Sequence, residues 1–257
     1  MKKIITSAGL AALAVAALAP VSAYAEDSSL AFNVGVVSDY RYRGISQTRL
    51  KPAVQAGVDY SYGAFYVGAW ASTIKWIKDN GVKGPVELDI YGGYKGAITE
   101  AMAFDVGFLR YEYVGNKLDE TAGGGVYKNA NTTEIYGALT YGPVTGKISY
   151  ALTDLFGNYN FTDGKSSKGS YYAELNASFD VGAGFMLAPH LGYQKVENVY
   201  PASYMDYSVT VSKEVVPGLT VSLAGVGTNA SSNFYYSPVN GKFLGKSGAV
   251  LGVKYAF

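Results

Sequence analysis

The chain has no cysteine, one histidine, two tryptophans and eight prolines in 257 residues. Without thiols there is neither a disulfide framework nor a thiolate metal site. Charge of one sign is lacking as well. Setting Lys2 and Lys3 aside leaves 19 of the 21 basic residues against 20 acidic ones, a formal charge near −1. That provides no basic field for nucleic acid, and no nucleic-acid partner is expected. Beyond residue 25 no stretch approaches 18 unbroken apolar residues, so no transmembrane helix is expected. What is abundant is tyrosine, 24 residues, and glycine, 32 residues. Aromatic interface belts and bent, glycine-containing strands use both.

The first 25 residues read as a leader. Lys2 and Lys3 form a charged start, Ile4 to Leu18 is an apolar stretch built mostly of Ala and Leu, and Ala23-Tyr24-Ala25 is a small-residue cleavage site. The expectation is a cleaved secretory signal peptide over 1–25 and a single domain over 26–257. An uncleaved anchor is the alternative, but the stretch is short for a span.

The remainder alternates with period two, in segments of about ten residues, which is the length a tilted strand needs to cross a bilayer. Leu30 to Arg43 sets Phe32, Val34, Val36, Tyr40 and Tyr42 against Asn33, Asp39, Arg41 and Arg43. The last segment sets Ala249, Leu251, Val253, Tyr255 and Phe257 against Gly248, Val250, Gly252, Lys254 and Ala256. Ten further segments lie between them, beginning near Val54, Phe65, Val86, Met102, Glu134, Lys147, Tyr171, Phe185, Tyr207 and Leu219. Tight turns near Gly63, 96–100, Gly142-Pro143, 181–184 and Pro217-Gly218 alternate with longer polar connections at 44–51, 75–84, 114–131, 155–169, 196–203 and 229–246. Twelve strands, five short turns and six long loops describe an all-β transmembrane antiparallel up-and-down barrel with both termini on the periplasmic side.

Aromatics add depth markers. Tyr60, Phe65, Tyr94, Tyr141, Phe179, Phe185 and Tyr255 sit at turn-side strand ends on the apolar parity, as a girdle requires. Tyr40, Tyr42, Tyr111 and Tyr113 are assigned to the opposite rim. Pro189 inside the ninth strand cannot donate to a ladder, so a bulge or a shifted boundary is expected there. A soluble barrel would turn its apolar face inward. Here the wet face carries Glu87, Asp89, Asp105, Glu134 and Lys147 near strand centres, which favours a lipid-facing exterior.

The stretch NVGVVSDYRYRGISQT from Asn33, followed by PAVQAGVDYS from Pro52, FYVGAWAS from Phe65 and ELDIYGGY from Glu87, resembles the TorF family of porin-like outer-membrane proteins. The likeness is sharpest over residues 30–115, and Ser38-Asp39-Tyr40 with Arg43-Gly44-Ile45-Ser46 is its most specific part. The terminal Phe257 on an alternating strand resembles the signature read by the machinery that assembles outer-membrane barrels. These resemblances imply an outer-membrane location, contact with outer-membrane lipid and lipopolysaccharide, and the assembly machinery as a partner during biogenesis.

No catalytic constellation, cofactor or metal site is expected, and no enzyme. His190 faces the lumen beside Gln194, with no serine that the sequence places next to it. Gly245-Lys246-Ser247 lacks the earlier glycine of a phosphate loop, Asn240 standing there, and a strand follows it. The residues expected to line the lumen are Asp39, Arg41, Arg43, Asp59, Glu87, Asp89, Lys95, Asp105, Glu134, Lys147, Glu174, Asp180, His190 and Lys254. Their acidic excess suits a narrow channel for ions or small polar solutes with a mild preference for cations. Arg41 and Arg43 near the mouth could instead attract anions. The alternative is a closed structural or adhesive barrel acting through its loops.

Overall fold

The computed structural model describes residues 28–120 and 127–257; the expected leader and Gly123-Gly124-Gly125 lie outside the described residues. Twelve strands form one antiparallel sheet. They are β1 (Ser28–Val37), β2 (Ala53–Tyr62), β3 (Phe65–Thr73), β4 (Val86–Thr99), β5 (Met102–Tyr113) and β6 (Thr132–Tyr141). The others are β7 (Val144–Ala151), β8 (Tyr171–Ala177, continued by Phe179–Asp180), β9 (Phe185–Lys195), β10 (Tyr204–Val216), β11 (Leu219–Thr228) and β12 (Gly248–Ala256). Each pairs with its sequence neighbours, and β1 pairs with β12 with Asn33 opposite Ala256, which closes the ring. The last rung is double: Phe257 N donates to Phe32 O at 3.0 Å and Phe32 N to Phe257 O at 2.9 Å.

Alternation decides which side chains go where. Leu30, Val54, Leu223 and Leu251 are each more than half exposed, an arrangement that water around the outside would not tolerate over a whole barrel. All seven turn-side aromatics point outward and are exposed, as the girdle assignment requires. The opposite rim needs correction. Tyr40, Tyr111 and Tyr113 are at most 3% exposed, and Tyr42 is half-buried. Tyr111 and Tyr113 share the inward parity of Asp105, while Tyr40 and Tyr42 have left the wall altogether.

They leave because β1 ends at Val37, six residues short of the expected Arg43. Ser38 N still donates to Leu251 O at 2.8 Å, and then the chain turns into the lumen as a short hairpin, Arg41–Tyr42 against Ile45–Ser46. Its two-residue turn has Arg43 at φ 46° and Gly44 at φ 77°, the paired left-handed conformation that a tight hairpin demands. Glycine is required twice over at 44. A Cβ there would lie 2.4 Å from Thr228 Cγ2 and 2.7 Å from Asp206 Cβ, so the tip is seated against β10 and β11.

Pro189 also differs from expectation. It pairs with Val209 in an unbroken β9–β10 register, with no bulge. The missing N–H is felt on the other side, where β8 breaks into its two pieces at Ser178. Asn176 opposite His190 and Phe179 opposite Leu187 keep one register across the gap.

Candidate functional site

The site is the hairpin and the lumen wall it touches. Asp39 and Arg41 make the hairpin a rigid unit. Asp39 Oδ1 accepts from Ser46 Oγ at 2.5 Å and Thr48 Oγ1 at 3.1 Å, and its Oδ2 accepts from Arg41 Nε. The rest of the Arg41 guanidinium donates to Gly44 O, Leu244 O and Lys246 O at 2.9–3.1 Å. One buried cation thus ties the hairpin to itself and to the loop between β11 and β12.

Arg43, at the tip, reaches across the barrel. Its Nη1 and Nη2 donate to Glu134 Oε1 and Oε2 at 3.0 and 2.7 Å, the bidentate geometry that suits guanidinium and carboxylate. Nη1 also donates to Gln194 Oε1 at 2.6 Å. The guanidinium carbon lies 4.3 Å from the Tyr172 ring centroid and 4.8 Å from that of Tyr42. Glu134 is on β6, Tyr172 on β8 and Gln194 on β9. In the ring these strands lie opposite β1, from which the hairpin hangs. The tip therefore spans the bore.

Beside it lies a second acidic group. Tyr40 donates its hydroxyl to Glu87 Oε1 at 2.5 Å, whereas both oxygens of Asp89 are buried with no hydrogen-bond partner among the described residues. Toward the turn end the wall is less enclosed. Tyr91 donates to Asp59 Oδ1 at 2.5 Å and Tyr66 to Asp105 Oδ1 at 2.6 Å. Lys147 and Lys95 lie over the Tyr136 and Tyr66 rings at 4.2 and 5.3 Å. Lys254 is half-buried on the inward face of β12.

Of the fourteen residues expected along the lumen, thirteen lie on the wall's inward face or on the hairpin, eleven of them in two levels and Glu174 and His190 in a separate cluster. Asp39, Arg41, Arg43, Glu87, Asp89 and Glu134 belong to the hairpin level, and Asp59, Lys95, Asp105, Lys147 and Lys254 to the turn-end level. Asp180 is the exception. It is exposed beside the β8–β9 turn, where its Oδ1 accepts the Gly182 N–H at 2.8 Å. Arg41 and Arg43 are not free to attract anions, because both guanidinia are held in buried ion pairs.

Glu174 and His190 belong to a polar knot that the sequence reading did not assemble. His190 Nε2 is 2.9 Å from Asp206 Oδ1 and 3.0 Å from the Tyr172 hydroxyl, and Nδ1 is 2.6 Å from Asn176 Oδ1 and 3.8 Å from Glu174 Oε2. The sequence placed no serine beside His190, yet the register sets Ser208 directly opposite it. The Nε2 contacts are nevertheless with Asp206 and Tyr172, so a Ser-His nucleophile pair is not formed. Asp206, Tyr172 and the inward tyrosines 66, 91 and 136 were missed as site residues. Parity was their signal: Tyr91, Tyr136 and Tyr172 share a strand face with Glu87, Glu134 and Glu174, and Tyr66 and Asp206 share theirs with Ser72 and Ser208.

The family described as "Bacterial protein of unknown function (Gcw_chp)" matches residues 22–257. The chain belongs to the Gcw_chp family. No curated protein matches it. Among solved structures this Gcw_chp barrel is similar to the KdgM porin, at 9% identity and a TM-score of 0.52, covering 90% of this chain and 99% of that one. It is also similar to the NanC porin, at 12% identity and a TM-score of 0.52, covering 89% of this chain and 99% of that one. At such identities the likeness is one of fold: a closed twelve-strand porin barrel.

Proposed function

We propose that the protein is an outer-membrane channel for ions or small polar solutes, constricted at its loop end by the inward hairpin. The observation that carries this is a bore walled by charges of both signs inside an exterior whose mid-strand positions are apolar. Twelve strands enclose more room than the eight whose interior side chains fill, so the bore has space that a hairpin can narrow. The likeness of Asn33 to Thr48 to the TorF family, and the fold shared with the KdgM and NanC porins, support the same reading. So does the leader-like sequence over 1–25, which provides export. At the hairpin level the acids Glu87, Asp89, Glu134 and Asp206 outnumber the two arginines, and Asp89 has no hydrogen-bond partner among the described residues, which favours passage of cations over anions.

Single-channel recording in planar bilayers tests the proposal. Folded protein is expected to give small discrete steps, with a reversal potential in a salt gradient on the cation-selective side. Absence of steps from correctly folded protein rejects it. The second reading, a barrel that the hairpin closes entirely, is favoured by the Arg43 bridge across the bore. It requires that the folded parent chain pass no current and that hairpin-disrupting variants begin to conduct.

The lipid-facing assignment has its own check. Leu251→Arg places a charge at the middle of β12 on the outward face and is expected to cost about 2–4 kcal/mol of folding free energy in bilayers. Urea-dependent refolding into phosphatidylcholine vesicles measures it. The isosteric change Leu251→Met is expected to be nearly neutral.

A further inference from the structure

Above the hairpin the loops converge on a cup that meets the hairpin level at its floor, through Tyr42, Ser46 and Gln194. It holds a cavity of about 120 Å³, comparable with the order of 150 Å³ that accommodates a benzene ring. Seven separate elements supply aromatic residues to it, with Tyr127 from the 114–131 loop and Tyr204 at the start of β10 among them. The hairpin gives Tyr42, the four-residue helix α1 (Trp76–Asp79) gives Trp76, and β5 ends in Tyr113. The loop after β7 gives Phe156, and the loop after β11 gives Phe234 and Tyr235. They are held edge to face: Trp76 against Tyr113 at 5.1 Å, Phe156 against Tyr42 at 5.5 Å, and Tyr235 against Phe234 at 4.9 Å.

The polar part of the lining is uncharged in effect. Asp79 is the one carboxylate lining the cup among the described residues. Arg49 caps it with Nε on Oδ2 at 2.7 Å and Nη2 on Oδ1, and Ser237 Oγ adds a third bond at 3.2 Å. Burial pushes the Tyr235 phenol above its ordinary value, so it stays neutral. What remains are amides and hydroxyls, including Gln47, Asn80 and Asn158, whose nitrogens donate to backbone carbonyls at 2.8–3.0 Å and whose oxygens keep acceptor capacity. The Trp76 indole N–H is buried and has no partner among the described residues. A buried donor left unsatisfied costs about 1–3 kcal/mol, and a ligand oxygen would remove that cost.

We propose that this cup binds a neutral saccharide, one pyranose ring at a time, at the loop-end mouth of the barrel. A pyranose has an apolar C–H face for the aromatic rings and an equatorial rim of hydroxyls that both donate and accept. An anion finds no free cation in the cup, because Arg49 is occupied. An organic cation finds the aromatic faces but no free carboxylate. A wholly apolar ring leaves the Trp76 N–H and the amide oxygens unmet. The proposal goes beyond the channel reading, and its test measures binding rather than current, so either can fail alone.

The two tryptophans of the chain make the test direct. Trp70, on β3, packs against Tyr40 inside the bore at 5.4 Å, away from the cup. In Trp70→Phe, emission comes from Trp76 alone. Full-length folded protein in detergent is titrated with maltotriose, cellotriose and N,N′,N″-triacetylchitotriose. At least one is expected to give a saturable change in Trp76 emission, and calorimetry on the parent chain is expected to give the same affinity. Trp76→Ala is expected to weaken that affinity at least tenfold, and Trp76→Phe to retain part of it. The proposal is overturned if no neutral trisaccharide gives saturable heat with folded parent protein. It is equally overturned if trigalacturonate, phenethylammonium or indole binds in preference to all three.

Discussion

Arg43→Ala is expected to raise the unit conductance several-fold and to destabilise the folded barrel by about 3–5 kcal/mol. Both effects come from one side chain. The guanidinium fills the centre of the bore and is the cation bound to both oxygens of Glu134, which is 1% exposed. Removing it empties the constriction and leaves a buried carboxylate whose remaining hydrogen bond among the described residues is from the Tyr111 hydroxyl at 3.3 Å. Current and stability separate in the paired variant Arg43→Met with Glu134→Met. Its bore stays occupied by side chains of similar length, so conductance is expected to stay near the parent value. No uncompensated charge remains, so most of the stability returns. Bilayer recording reads the first quantity and urea unfolding in micelles the second. A conductance unchanged by Arg43→Ala removes the hairpin from the role of constriction.

Arg41→Ala is expected to be as damaging to stability, by a different route. Arg41 is 8% exposed, and four of its N–H groups donate to Asp39 and three backbone carbonyls, two of them in the loop between β11 and β12. Losing it strands a buried carboxylate and releases both the hairpin and that loop, at a cost of about 3–5 kcal/mol. Limited proteolysis distinguishes it from Arg43→Ala. Cleavage within 229–247 is expected to accelerate in Arg41→Ala and to stay slow in Arg43→Ala. Lysine at 41 restores charge but a single donor point in place of a planar fork, so partial rescue at best is expected.

The wall was legible in the sequence because a pleated strand has a period of two and a barrel has two solvents. Val34, Ala56, Ile90 and Leu251 could be placed outward from alternation alone, and the loops at 114–131 and 196–203 have the bounds that were expected. The hairpin was not legible for the same reason. Asp39, Arg41 and Arg43 alternate with Tyr40 and Tyr42 as a continuing strand would, so period two runs straight past the end of β1. What breaks the strand is tertiary: a tip whose Gly44 fits against Thr228 and Asp206, and an arginine whose partner is 91 residues away. The one local sign was alternation resuming at Ile45-Ser46 after Arg-Gly, which reads as a two-residue turn. The rim tyrosines misled because tyrosine serves both a membrane girdle and a buried hydroxyl network. Parity, applied to Tyr111 and Tyr113 as it was to Asp105, separates the two uses.

Pro189 leaves the twelve seams of the wall unequal. Eleven neighbours of the ring are joined by continuous ladders or by ladders irregular only near a turn, but β8 and β9 lose rungs at Ala177 and Ser178. Ser178 turns its N–H to Pro143 O at 3.0 Å on the other side, and its hydroxyl is buried with no hydrogen-bond partner among the described residues. In mechanical terms the cylinder has a built-in line of yield. Stress applied to the wall concentrates there, and a sideways parting of the barrel would begin between β8 and β9, beneath the knot of Tyr172, His190 and Asp206.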